Sequence, residues 1–553
     1  MSNKVLITSA LPYVNNIPHL GNIIGCVLSA DVYAKYQRLI GKDVLYICGT
    51  DEYGTATETK AKEEKLSPRE ICNKYHKIHK EIYEWFNIDF DVFGRTSTEN
   101  PKIDKWEQTR LCHEIFTDLV NNGYVIEKET EQLYCNEINK FLADRYVKGI
   151  CPYCGFNDAN GDQCDGCGKL YSSTELINPY YKLNKEYKLT IKKSNHLFLK
   201  LADFKEKIED WWMKQEGWTN VANGITKSWL NDLQDRCITR DLEWGTPVPD
   251  TKKFGNRFKD KVFYVWFDAP IGYISITANA RDDWKDWWMN PKTELVNFMA
   301  KDNVPFHSII FPAALMGTGK EYNLVNKLCA VDYLNYEDKK FSKSNNTGVF
   351  GDSAMNSGIN SDIWRFYLIK SRPESGDSYF TWDDFESKIN GELVNNFSNL
   401  VNRVLTLTYK KFKEIPEIND MELFNSMESK YQICLSEYKN EFENVKLKES
   451  VNKFMEFSSK CNIFINEQEP WAIEIEKAKS VLGILCHFLI CLSVMSRPFI
   501  PDCSKQIQSF LNVNYNNLEL DINKFKGTKI NKSKIIFKRI PKNEIIELKK
   551  KYG

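Results

Sequence analysis

A doubly wound α/β domain, split by an inserted segment and followed by an all-α bundle, is the fold class that the 553-residue sequence predicts. Three observations carry it. The residues up to about Phe86 alternate strand and helix; the alternation returns after about Asn231; and from about Asp384 onward apolar residues recur at helical spacing with few glycines, as in "ELVNNFSNLVNRVLTLTYKKF". Sequential strands joined through helices make a parallel sheet, so the split domain is of Rossmann type, with ligands expected at the carboxyl ends of its strands.

In chain order, "KVLITSA" is the first strand, a helix follows from about Gly21 to Leu39, "KDVLYICGTDEYG" is the second strand, and a helix runs from about Ser67 to Phe86. After Asn231, "KVFYVWFDAP" and "VPFHSIIFPAAL" resume the pattern. The interruption, roughly 116–230, holds a cysteine cluster and short aromatic runs. Val481 to Met495 is the longest apolar run; it is too short for a bilayer and is interrupted by His487, so it reads as a bundle core helix and no membrane association is expected. The N-terminus lacks a signal-peptide pattern.

Lys plus Arg equals Asp plus Glu at 75 each, so bulk charge excludes neither nucleic acid nor its absence. The basic residues gather at the end: Lys524 to Gly553 holds ten Lys and one Arg against two Glu, either a solvated tail or a nucleic-acid patch. Of sixteen cysteines, twelve have no close partner in sequence, which suits reduced thiols in the cytoplasm better than a disulfide framework.

The other four form "CPYCGFNDANGDQCDGCG": Cys151, Cys154, Cys164 and Cys167, two C-x-x-C pairs. Each pair presents two thiolates from one tight turn, as a tetrahedral zinc site needs. Four thiolates saturate the ion, so the expected Zn²⁺ is structural, and one such site is expected; taken alone, the same residues also fit a zinc-ribbon nucleic-acid module. Elsewhere "ALPYVNNIPHLGN" leaves the first strand and sets His19, Gly21 and Asn22 at a helix start, where free N–H groups favour an anion such as phosphate; a helix cap is the plainer use of His19. Far downstream, "DKKFSKSNNTGVFGD" flanks Ser342 and Ser344 with Lys340 and Lys343, a loop able to close over a polyphosphate.

The histidine turn and the lysine loop together resemble the paired signatures of class I aminoacyl-tRNA synthetases, H-I-G-H and K-M-S-K-S, which read "HLGN" and "KFSKS" here. Asn22 departs from the pattern and offers an amide where the family has a cationic donor. With "GTDEYGT", "VWFDAPIGY" and "KDNVPFHSIIFPAAL", the resemblance is to methionyl-tRNA synthetases along nearly the whole chain. It implies a methionine pocket of Leu11, Tyr13, Asp51, Trp266, Ala269, Pro270, Tyr273 and His307, with Asp51 pairing the substrate ammonium. A soft thioether suits such aromatic and small neighbours. It also implies an ATP-dependent ligase: the methionine carboxylate attacks the α-phosphate, pyrophosphate leaves, and the terminal ribose hydroxyl of tRNA then attacks the adenylate.

His19, Asn22 and Lys343 are the residues expected to stabilise the phosphates, with Mg²⁺ accompanying ATP; Gly21, Lys301, Asp302, Lys340 and Arg240 are further candidates at ATP. The resemblance divides the chain into a first catalytic half at 1–115, the connective insertion at 116–230, a second half at 231–325, a stem-contact region with the lysine loop at 326–384, and a helical anticodon-binding domain at 385–553. There Asn395, Asn399 and Arg403 fall on one helix face at i, i+4 and i+8, and with Trp471 they are expected to read unpaired anticodon bases. A monomer is expected, with membership of a multi-synthetase assembly left open. The competing readings are another class I synthetase, or a catalytically silent RNA-binding protein on the same fold.

Overall fold

The computed structural model of the chain describes residues 3–97, 106–143, 146–161, 164, 166–167, 169, 171–338, 341 and 347–552. Five strands form a parallel sheet: β1 (Lys4–Ser9), β2 (Asp43–Thr50), β3 (Val92–Arg95), and, after the other segments of the chain have intervened, Thr293–Ala300 and Lys327–Val331. In spatial order the last two come first, Lys327–Val331 at one edge, then Thr293–Ala300, β1, β2 and β3. β1 therefore sits between a strand that follows it directly and a strand from the far side of the insertion. That is a switch point of the winding, where crossovers diverge to opposite faces and leave a crevice. The segment Ala10–Asn22 emerges there.

Period-2 alternation divides the core in two. Val5, Ile7, Tyr46 and Cys48 face helix α1, a continuous helical run built from Leu20–Asn22, a wider segment Ile23–Leu28, and Ser29–Leu39; this core continues without a break into the C-terminal bundle. Leu6, Leu45, Ile47 and Leu295 face the other way, toward α2 (Glu107–Asn121) and the insertion. The helix expected from about Ser67 is Pro68–Trp85, opened by a Ser67–Glu70 capping box with proline in its first turn.

The insertion is a long antiparallel ribbon, β4 (Val125–Cys135) with β5 (Leu189–Leu199), whose tip carries a small sheet of Val147–Ile150, Ala159–Asn160 and Ile177–Tyr181 and the cysteine cluster. One expectation changes. The "VWFDAPIGY" stretch around Trp266 belongs to helix α3 (Val265–Ala280), and "PFHSIIFPAAL" is also helical, over Phe306–Ile310 and Phe311–Gly317. Both are apolar on every side because both are buried on every side, so neither shows a polar stripe that distinguishes a helix from a core strand.

The C-terminal part is helical, with Asn399–Lys411, Met421–Glu443, Leu447–Gln468, Ile475–Ser496 and Pro501–Leu511. Ile475–Ser496 is long and apolar enough to cross a membrane, but 94% of its apolar window is buried inside the protein, as expected of a bundle core. A fully buried Arg365 joins this bundle to the sheet domain: it pairs with Asp31 at 2.8 Å and donates to the carbonyls of Phe86, Pro498 and Phe499.

Candidate active site

His19 caps α1. Its Nδ1 accepts the Asn22 backbone N–H at 3.2 Å, and the Asn22 Oδ1 accepts the His19 N–H at 3.2 Å, a capping box built from histidine and asparagine. Because Nδ1 accepts, the ring proton sits on Nε2 and is free to be donated. Burial lowers the His19 pKa to about 4, so at neutral pH the ring offers a hydrogen bond and no positive charge. A Cβ at Gly21 would fall 3.0 Å from the His19 ring and from the Leu334 carbonyl, so the close approach here requires glycine.

Lys340 and Lys343, with Ser342 and Ser344, lie outside the described residues. Between them Phe341 is described, and it stacks on the His19 imidazole with centroids 4.5 Å apart and planes within 2°. Leu20 donates to the Val349 carbonyl at 3.2 Å and Gly351 to the Pro18 carbonyl at 2.8 Å. Histidine turn and lysine-loop segment thus share one cleft at the switch point.

Beside it lies a small cavity of about 40 Å³ lined by all eight expected residues, Leu11, Tyr13, Asp51, Trp266, Ala269, Pro270, Tyr273 and His307. Val265, Asn303 and Phe306 line it too, and sequence reasoning missed them; Phe306 packs on Trp266 at 5.0 Å. Tyr273 is fully buried and donates to His307 Nε2 at 2.8 Å, because His307 Nδ1 donates to the Asn303 carbonyl at 2.9 Å and so fixes the tautomer. Burial holds His307 neutral, with its pKa lowered to about 4.

Asp51 directly follows β2, with its Oδ1 buried and without a hydrogen-bond partner among the described residues. Burial, then the charges of Asp268 and Glu52, push its carboxyl well above the usual range. A buried acid with an unmet oxygen at a strand end is a seat for a cation. Next to Asp51 in sequence, Glu52 is fully buried, accepts from Arg95 at 2.7 Å and lies 3.6 Å from Arg69.

Residues 5–405 match the family model described as tRNA synthetases class I (M), and residues 417–553 match the anticodon binding domain of methionyl tRNA ligase. The chain belongs to the methionyl class I tRNA synthetases. It is 51% identical over 523 residues to a probable cytoplasmic methionine–tRNA ligase of Dictyostelium discoideum, covering 92% of this chain and 69% of that one. To the cytoplasmic methionine–tRNA ligase of Homo sapiens it is 46% identical, covering 100% of this chain and 62% of that protein. The methionine–tRNA ligase of Borrelia hermsii is 46% identical, with 75% of its length covered. The fold matches the Mycobacterium tuberculosis methionyl-tRNA synthetase solved with methionyl-adenylate, at a TM-score of 0.80 and 18% identity over 98% of this chain and 100% of that one.

In this class I synthetase the other expected ATP residues are placed differently from His19. Lys301 is held by Asp332 at 2.9 Å and Asp377 at 2.7 Å and lies over the Tyr333 ring, so its charge is already committed. Asp302 is neighboured by the Cys26 thiol, and burial raises its pKa. Arg240 lies on the far side of Trp266, stacked over Tyr264 at 3.7 Å, in a second cavity.

Cys151, Cys154, Cys164 and Cys167 place all four sulfurs within 4.8 Å of one another, with Cys151–Cys167 at 3.9 Å and Cys154–Cys164 at 3.6 Å. A tetrahedron with metal–sulfur bonds of about 2.3 Å has edges near 3.8 Å. The Gly166 and Cys167 N–H groups donate to the Cys164 sulfur at 3.3 and 3.4 Å, as they would to a thiolate. In the bundle, Asn395 and Asn399 are exposed, and Arg403 donates to Asn466 at 2.7 Å while lying 5.5 Å from the Trp471 ring. Trp471 is 45% exposed, an open aromatic face beside a cation.

Proposed function

We propose that the chain is a cytoplasmic methionine–tRNA ligase that forms methionyl-adenylate from L-methionine and ATP and transfers methionine to the terminal ribose of tRNA-Met. The convergence of eight residues from four distant segments on one cavity, next to the stacked His19–Phe341 pair, carries this reading. The family match and the relatives' names support it.

The methionine ammonium pairs with Asp51, whose unmet Oδ1 then gains a donor and whose carboxylate form is favoured by the new charge. Tyr273 and His307, each committed to a hydrogen bond, present a fixed polar tip near the thioether, and Trp266, Tyr13 and Leu11 surround it. The methionine carboxylate attacks the α-phosphorus in line and pyrophosphate leaves with the electron pair. His19 donates a neutral Nε2–H to the phosphates, assisted by Asn22, Lys340 and Lys343. Catalysis rests on positioning and charge stabilisation, with no protein nucleophile. Mg²⁺ bound with ATP would share the phosphate charge.

The four thiolates hold one Zn²⁺, which ties the insertion's tip together as a structural ion. Asn395, Asn399, Arg403 and Trp471 meet the anticodon bases. The chain divides at 1–115, 116–230, 231–325, 326–384 and 385–553. Methionine-dependent ATP–pyrophosphate exchange tests the activity: exchange with methionine and none above background with leucine or cysteine is expected. Equal exchange with leucine favours another class I synthetase, and no exchange with any amino acid favours a silent RNA-binding protein.

A further inference from the structure

The short segment Trp244 to Thr246, which follows the insertion in sequence, does not line the proposed methionine pocket but holds both of its walls. On one side, the Trp244 indole N–H donates to the Glu52 carbonyl at 2.7 Å, and the Trp244 carbonyl accepts the Gly54 N–H at 3.2 Å. The turn that leaves β2 through Asp51 is thus gripped at two of its peptide groups by one residue. On the other side, the Thr246 hydroxyl donates to Asp268 Oδ2 at 2.8 Å, in the first turn of α3, the helix that brings Trp266, Pro270 and Tyr273 to the pocket.

The turn needs such a grip. Asp51 Oδ1 has no partner among the described residues, and the carboxylate is hydrogen-bonded by the Tyr53 N–H of the same turn, so its aim follows the backbone that carries it. That backbone ends at Gly54, whose φ of +91° lies in the region that favours glycine and leaves it intrinsically free to move. The near side of the turn is held by the Asp51 N–H on the Pro12 carbonyl at 2.9 Å and by the Glu52 N–H on the Thr96 hydroxyl at 3.0 Å. Beyond these, the Glu52 carbonyl has the Cys72 thiol at 3.6 Å, a weaker donor than the indole. Trp244 is itself braced. Its backbone N–H donates to Glu58 Oε1 at 2.9 Å, Arg69 lies 5.1 Å from its ring, and Tyr53 packs on that ring at 5.5 Å.

We propose that Trp244 is a positioning residue for the amino-acid substrate: by fixing the Glu52–Gly54 backbone it holds the Asp51 carboxylate where the substrate ammonium meets it, in step with α3. The indole does not touch the substrate. A charge-assisted hydrogen bond depends on distance and angle, so a carboxylate displaced by about 1 Å loses much of its worth to the ammonium. Without the indole N–H the Glu52 carbonyl keeps only the thiol, and Gly54 is tied to Trp244 by its N–H alone. The consequence falls on amino-acid binding and spares the phosphate site, which is built on His19 and α1. The proposal rests on the assignment of Asp51 to the methionine ammonium made above.

The test measures ATP–pyrophosphate exchange of the full-length protein at varied methionine and at varied ATP, with melting temperature alongside. Trp244→Phe keeps a ring for Arg69 and Tyr53 and removes the N–H. Its KM for methionine is expected to rise about fivefold to tenfold, as for loss of one hydrogen bond to a buried carbonyl, with KM for ATP and kcat within about twofold of wild type. Trp218→Phe is the comparison, since it removes an indole bond of 3.0 Å to the Asn326 carbonyl outside the pocket; it should lower the melting temperature and leave both KM values unchanged. Glu58→Ala, at a half-buried helix position, removes the acceptor of the Trp244 N–H and should raise the methionine KM about threefold, a readout that stands even if Trp244→Phe does not fold. An unchanged methionine KM in either Trp244→Phe or Glu58→Ala overturns the proposal, as does a rise of both KM values together in Trp244→Phe and Trp218→Phe. A wild-type protein that exchanges equally with leucine, or with no amino acid, marks failure of the functional reading instead.

Discussion

The proposed methionine pocket and the proposed anticodon face do opposite things with polar residues. In the pocket Asp51, Tyr273 and His307 are buried, and the Tyr273–His307 pair is locked by two hydrogen bonds. On the bundle Asn395, Asn399 and Trp471 are exposed and lean on little. One end is prepared before its ligand arrives; the other is an open surface whose ligand supplies the partners. A buried unmet group changes both binding and folding when altered, whereas an exposed one changes binding alone.

Asp51→Asn breaks this comparison most strongly if it is mistaken. Removing one partner of a buried charge pair costs about 3–5 kcal/mol, so methionine-dependent exchange should fall roughly hundredfold to several-thousandfold, with tRNA affinity unchanged in a filter-binding titration. Trp471→Ala should do the reverse. Stacking of one base is worth about 1–3 kcal/mol, so kcat/KM for tRNA charging should fall about fivefold to a hundredfold while exchange holds.

Phe341→Ala removes the ring stacked on His19, an interaction of about 0.5–1.5 kcal/mol, and should lower exchange kcat about two- to tenfold. The smallest effect is a slope. Folded Asp268 keeps its proton to about pH 7 because it is buried, while the unfolded side chain loses it near 3.8. Between those values the folded state binds more protons, so stability drops as pH rises, by at most about 1.4 kcal/mol per pH unit. Asp268→Asn, which can keep the Thr246 hydrogen bond, should flatten the melting temperature across that window in scanning calorimetry.

Legibility in the sequence followed the same division. "KVLITSA" and "KDVLYICGTD" alternate or run apolar between turn signals, so β1 and β2 could be read, and with them the strand end that carries Asp51. Trp266 and His307 were placed near the site by motif, but their helices were not visible, because a helix buried on all sides has no polar stripe. The Lys301 ion pairs could not be read either: Asp332 and Asp377 are distant in sequence and meet it only in the fold. The four-cysteine cluster was legible because metal geometry constrains spacing directly.

A crystal structure with methionyl-adenylate bound tests the central claim most directly. The thioether should lie among Tyr13, Trp266 and Tyr273, the ammonium on Asp51, and the phosphate within hydrogen-bond reach of His19 beneath Phe341. Adenylate seated instead in the second cavity at Arg240, with Asp51 Oδ1 still without a partner, would contradict it.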